Sequence, residues 1–265
     1  MSRQIISLHA WLNAPLGRYL LHWESAQFDA AVVNLFGYHA LQLGLPELAG
    51  LATNRMPHRW LASATPHPQA AIVTHFGALP FAEHSLDLLV LPHTLELSGH
   101  AHATLREVHR VLVPEGRVVI SGFNPWSLWG LRQRRAKLYQ RLGLGQAFVP
   151  DAGEWIAPWR LRDWLQLLGF ELELTRFGCY RPALQHDQWL ARSAWLDSAG
   201  ARWWPILGAV YFLVAVKRVR GMTLLSPPWK RVAVRKGKAV ATSYSGQPTP
   251  LTEEPHFSGA AIEHD

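Results

Sequence analysis

Residues Leu86–Leu91 form an apolar run broken only by Asp87. A short run without polar alternation suits a strand buried on both faces, the environment of a parallel sheet covered by helices. The next thirty residues fit that setting. Leu105, Val108 and Leu112 define an apolar stripe that predicts a helix from about Ala101 to Leu112. Pro114-Glu115-Gly116 reads as a turn, and Arg117–Ser121 as another central strand. Upstream, Tyr38–Leu43, Arg59–Ala62 and Ala71–Thr74 read as strands. Downstream, Leu161, Trp164, Leu165 and Leu168 line a helix closed by Gly169, ahead of strands at Phe170–Arg176 and Gly208–Val216. Strands alternating with helices at these intervals predict βαβ units in a doubly wound α/β sheet.

The segment 1–36 reads as helical. Leu16, Tyr19, Leu20 and Trp23, then Phe28, Val32 and Leu35, fall at helical spacing, so two helices are expected before Gly37 stops them. Gly44, Pro46 and Glu47 form the turn out of the first strand, and Glu47–Ala52 is expected to begin a short helix. Residues 37–225 read as one α/β domain, with insertions at about 126–158 and 182–204. From 226 to 265 the composition turns to Pro, Gly, Ser, Thr and charge, which predicts a disordered tail.

With 49% hydrophobic and 17% charged residues, the 265-residue chain has material for a sizeable core. Its single cysteine, Cys179, excludes a disulfide framework and a paired-thiolate zinc site. Met1–Leu16 lacks a basic stretch followed by an apolar run, so no signal peptide is read. The most apolar segment, Trp203–Val216, contains Pro205 and is shorter than the roughly 20 residues a spanning helix needs. It is read as a buried strand, with an interfacial membrane contact as the alternative, and the chain as a cytoplasmic protein without a transmembrane segment.

The net charge of +7 is concentrated. One cluster runs from Arg132 to Lys137; another comprises Lys230, Arg231, Arg235, Lys236 and Lys238. Such patches attract phosphate-bearing partners, or else form a solvated helix face and a basic tail. Thirteen tryptophans are scattered without a period. Several lie in the second half, where a substrate pocket or partner surface would use flat apolar area.

Two stretches carry a family resemblance. Gly77-Ala78-Leu79-Pro80-Phe81 leads through a polar loop into Ser85-Leu86-Asp87-Leu88-Leu89-Val90. After it, Leu105-Arg106-Glu107-Val108-His109-Arg110-Val111-Leu112-Val113-Pro114-Glu115-Gly116-Arg117-Val118-Val119-Ile120 follows in the right order and at the right distance. Together they resemble class I S-adenosylmethionine-dependent methyltransferases, nearest the methyltransferase type 11 group in a bacterial branch of uncharacterised members. The resemblance covers roughly residues 37–216. It implies a Rossmann-like, mostly parallel sheet with a C-terminal antiparallel strand. These signature residues are scaffold: Leu105, Val108 and Leu112 bury one helix face while Arg106, Glu107 and Arg110 stay wet.

Ligands of an open α/β sheet lie beyond the carboxyl ends of its strands. The resemblance places the methionine part of the cofactor at Gly44 and Leu45, where the family has a glycine-rich turn. Here Gln42 stands for the usual acidic residue, and Leu45 and Pro46 occupy positions that are usually small; Pro46 also lacks an N–H donor. Ser63 takes the place of the ribose-binding acid. His75 and Phe76 fall where an Asp-Ala pair surrounds the adenine, with Phe76 able to stack on the ring. Pro92 and His93 follow the fourth strand, and His93 is the expected proton acceptor or orienting group. Asn124 and Trp126, after the fifth strand, are expected on the substrate side.

The resemblance implies S-adenosylmethionine as cofactor and a small-molecule or macromolecular methyl acceptor. Its sulfonium already activates the methyl group, so alignment is the main task of the protein. No metal is required. Two other readings stand beside the enzyme: a degenerate relative that binds cofactor poorly and acts through protein contacts, and a nucleic-acid-associated protein using the basic clusters. Nucleic acid is not favoured, because Asn124-Pro125-Trp126-Ser127 departs from the Asn-Pro-Pro-Tyr tetrapeptide after two residues.

Overall fold

A computed structural model of the protein describes residues 10–141, 148–149, 153–183 and 187–218. Helix α1, Pro15–Val32, begins with proline at its first turn, where a missing N–H costs nothing. The elements after it are β1 (His39–Leu43), β2 (His58–Ser63), β3 (Ile72–Val73), β4 (Leu86–Pro92), α2 (Thr94–Leu97), α3 (Ala101–Val111) and β5 (Leu112–Phe123). The second half comprises α4 (Leu128–Arg141), α5 (Pro158–Leu167), β6 (Phe170–Gly178), α6 (Asp187–Arg192), α7 (Trp195–Trp203), a 3-10 turn (Pro205–Leu207) and β7 (Val210–Lys217).

The strands form one seven-stranded sheet in the order β3-β2-β1-β4-β5-β7-β6. The first five are parallel, and β7 runs antiparallel between β5 and β6. The Rossmann-like expectation holds: β4 sits at the centre, with every residue from Leu88 to Pro92 buried. Chain order reverses between β1 and β4, and a crevice at such a switch point is where this architecture binds ligands.

Helix α1 covers one face of the sheet, packing Leu16, Leu20, Phe28 and Val32 with Leu88, Val90, Val119 and Phe123. Helices α3 and α5 cover the other, with Leu105, Val108, Leu161 and Leu165 against Leu89, Leu91, Val118 and Ile120. The signature residues are more than a wet face. Glu107 accepts the Leu79 N–H at 3.0 Å, and Arg110 donates to the Phe81 and Leu79 carbonyls at 3.0 and 3.1 Å. They fasten the Ala78–Phe81 turn to α3. Asp87, the one polar break in β4, accepts the Tyr38 and His39 N–H groups and so holds the start of β1.

Four local expectations are corrected. The two N-terminal stripes are one continuous helix, because Glu24 and Ala26 between them are compatible with helix and no breaker intervenes. The Pro114-Glu115-Gly116 turn is a bulge within β5. Leu86 pairs with Leu112 and Leu88 with Arg117, and Glu115 adopts φ 63° to accommodate the excess residues. The Trp203–Val216 segment is only partly a buried strand, since Trp203, Trp204, Ile206 and Leu207 are exposed and β7 starts at Val210. No helix forms over Glu47–Ala52, which is a run of turns. The expected tail, 226–265, lies outside the described residues, as does the basic cluster beginning at Lys230. Among the described residues no helix is long and apolar enough to cross a membrane.

Candidate functional site at the carboxyl ends of the strands

The turn after β1 is organised by Gln42. Its side-chain amide donates to the carbonyls of Gly44, Leu45 and Leu48 at 3.1, 3.0 and 2.7 Å, and its carbonyl accepts the Gly50 N–H at 2.9 Å. Two of these bonds take the Leu48 carbonyl and the Gly50 N–H, groups that a helix over Glu47–Ala52 would pair with its own backbone, which works against that helix. Gly44 has φ 74°, a conformation suited to glycine, and Leu45 follows at φ 44°. That second left-handed residue turns the leucine side chain into the core, leaving it 5% exposed. Gln42 therefore holds the turn closed on itself, using the polar atoms that an acidic residue there would present outward.

The neighbouring residues close the same space. Phe76 is buried, and its ring tip lies 3.4 Å from where a Cβ on Gly44 would be. The side chain expected to stack on an adenine thus rests on the glycine turn itself. Ser63 is buried at the end of β2, and its hydroxyl accepts the Thr65 N–H at 3.3 Å. His75 points outward, with Nδ1 accepting the Gly77 N–H at 3.1 Å. Pro92, the last residue of β4, is buried in the sheet beside Ser121. The Thr94 hydroxyl donates to the Leu43 carbonyl and locks the β1 and β4 exits together.

His93 begins α2 in a left-handed conformation, φ 50°, and is 2% exposed. Its Nδ1 lies 3.0 Å from Glu96 Oε2, and its Nε2 lies 2.9 Å from Glu24 Oε1. The Glu24 contact is an ion pair without hydrogen-bond alignment. The other oxygen of Glu96 accepts the Phe123 N–H at 2.6 Å, and the Phe123 ring packs 4.1 Å from the imidazole. Burial alone would lower the pKa of His93. The charge of Glu24, with the hydrogen bond and charge of Glu96, overrides that and lifts it from 6.5 to about 10. Burial also raises the pKa of Glu96, against the pull of His93. Both ring nitrogens thus face carboxylates, which favours the protonated imidazole.

Glu24 has no counterpart among the residues expected from sequence. It lies fully buried on the α1 stripe Leu16–Leu20–Glu24–Phe28–Val32, each residue four from the last. A carboxylate inside such a stripe was the available signal, since a buried charge needs a partner.

Asn124 is fully buried. Its amide donates to the Ile206 and Gly208 carbonyls at 2.7 and 2.9 Å, and its oxygen accepts the Trp126 N–H at 3.1 Å. It clamps the 3-10 turn to the end of β5, with both amide hydrogens committed. Trp126 is 56% exposed, 5.5 Å from Trp159 and stacked by the Arg134 guanidinium at 5.2 Å. Phe76 and the Thr94 hydroxyl meet the Gly44 turn at the switch point, while Ser63 and His75 bond within their own loops and Trp126 is exposed. Three cavities formed by described residues border these elements: one of about 390 Å³ is lined by Glu96, one of about 370 Å³ by Gln42, Pro46 and Leu48, and one of about 430 Å³ by His102 and Trp164; none is lined by Gly44, Phe76 or His93.

A family model described as a methyltransferase domain matches residues 47–120. The match starts just past the Gly44 turn. YafS of Escherichia coli strain K12, described as an uncharacterized protein, is 30% identical over 222 residues, covering 83% of this chain and 85% of YafS. A SAM dependent methyltransferase from Archaeoglobus fulgidus superposes with TM-score 0.51 at 14% identity, over 74% of this chain and 94% of that one. A chain from the complex of the Haloferax volcanii Trm112 methyltransferase activator with a methyltransferase gives TM-score 0.51 at 13% identity, over 81% and 97%. At such identities the solved structures speak for the fold alone.

Proposed function

The chain belongs to the class I S-adenosylmethionine-dependent methyltransferase family, and on that premise we propose that it transfers a methyl group to an acceptor at the carboxyl ends of β4 and β5. The observation that carries the reading is the switch point between β1 and β4, where the Gly44 turn and the His93 turn are joined through Thr94. This is the place where an open α/β sheet presents ligands. A cytoplasmic location belongs to the same proposal.

S-adenosylmethionine does not fit the residues as they stand. The Phe76 ring lies against the Gly44 turn, Leu45 is packed in the core, and the Gln42 amide is spent on its own loop. Binding in the family position requires the Phe76 ring to leave. His93 acts in this proposal as a positioning residue: its cation neutralises Glu24 and Glu96 and fixes the β4 exit against α1. Asn124 has the same standing, holding the β5 exit against the 3-10 turn.

The closed slot favours a second reading, in which the chain acts through binding without methyl transfer. Calorimetric titration of the full chain with S-adenosylmethionine separates the two. Saturable heat with thermal stabilisation supports the enzyme, and neither effect at millimolar cofactor supports the binding protein.

A further inference from the structure

Helix α4 buries one side and leaves the other exposed among the described residues. Trp129, Gly130 and Gln133 face inward, whereas Leu128, Leu131 and Leu138 are 60%, 58% and 57% exposed. Helical spacing puts these leucines and Arg135 on one face, with Tyr139 beside them. Arg132, Arg134 and Lys137 are exposed around it. No acidic residue occurs between Gly122 and Pro150. Through the Asn124 clamp, the start of α4 adjoins the 3-10 turn, which adds exposed Ile206, preceded by exposed Trp204.

We propose that this face docks on an anionic lipid bilayer. Leucines at an exposed helix face gain by entering the acyl boundary, tryptophans favour the headgroup level, and arginine and lysine reach back to lipid phosphates. A purely solvated face would have polar residues in place of the leucines. A second copy of the same face would set arginine against arginine, and the basic segment Lys230–Lys238 has the wrong sign to cover it. Nucleic acid would use the arginines and aromatic rings but gains little from three exposed leucines. Lipid docking is independent of methyl transfer.

The test is flotation of the full chain with vesicles of phosphatidylcholine, alone or equimolar with phosphatidylglycerol. Binding to the mixed vesicles only is expected. Paired Leu131→Gln and Leu138→Gln should lower partitioning by about tenfold or more. Paired Arg134→Gln and Arg135→Gln should lower it by a similar factor of about ten. All four positions are exposed, so circular dichroism should be unchanged. Absence of vesicle binding overturns the proposal. So does vesicle binding that the leucine pair leaves intact, which would assign it to charge alone. Binding to mixed-sequence RNA without vesicle binding would assign the surface to nucleic acid and overturn it as well.

Discussion

The two halves of the strand-end surface are closed by opposite means. After β1, β2 and β3 the closure is uncharged: a glutamine amide, a leucine turned inward and a phenylalanine ring on a glycine. After β4 it is ionic, a cationic imidazole between two buried carboxylates. The uncharged half has given its ligand-facing groups to packing and internal hydrogen bonds. The ionic half keeps three titratable groups out of water, a costly arrangement that survives only while each charge has its partner. The Gly44 turn is thus held by intramolecular contacts from Gln42 and Phe76.

The contrast between the halves breaks first at His93. His93→Ala leaves Glu24 and Glu96 facing each other in the core, and equilibrium denaturation should show a loss of about 3–5 kcal/mol. The sign with pH comes from linkage. A group whose pKa rises from 6.5 to about 10 on folding contributes in full below 6.5, and its contribution is lost as pH climbs through about 10. Wild-type stability should therefore fall between those values. A profile identical in His93→Gln would remove the ionic account.

Gln42→Ala tests the other half. It removes the Gln42 acceptor of the Gly50 N–H, which keeps its bond to the Leu48 carbonyl, and the amide donor shared by three carbonyls, so a loss of about 2–3 kcal/mol is expected. Unlike the loss at His93, it should stay constant across that pH range. Gln42→Glu, which restores the acidic residue usual in the family, should give no rescue, because a carboxylate would face three carbonyl oxygens. Asn124→Ala should cost less, about 1–2 kcal/mol, by freeing the Ile206 and Gly208 carbonyls. The smallest effect belongs to Trp126→Ala. At an exposed site, its unfolding free energy should stay within about 0.5 kcal/mol of wild type. A larger loss there would mean that Trp126 is a packing residue.

The sheet was legible in the sequence wherever one face or both were buried by local pattern. Leu86–Leu91 and Arg117–Ser121 are examples, because burial on both sides leaves an uninterrupted apolar run. The site was legible by position only. Gly44, Ser63, Phe76 and His93 all stand at strand ends, as expected. Their contacts depend on residues far away in the chain, and no local pattern encodes those. Glu24 meets His93 across 69 positions of sequence. Phe76 has the right shape to stack on an adenine and equally to lie on Gly44. Asn124 looked like an anchor for a ligand because nothing near it in sequence announces the carbonyls of Ile206 and Gly208.

Phe76, which lies against the Gly44 turn, is the residue on which the proposed closure of the cofactor position depends. Isothermal titration of S-adenosylmethionine into wild type and Phe76→Ala tests it most directly, with circular dichroism confirming that the variant is folded. Removing the ring should tighten binding by about tenfold or more, since roughly 1.4 kcal/mol released from displacing it is enough for that factor. Tight binding to the wild type that weakens in Phe76→Ala would contradict the account and make Phe76 a stacking ligand of the adenine.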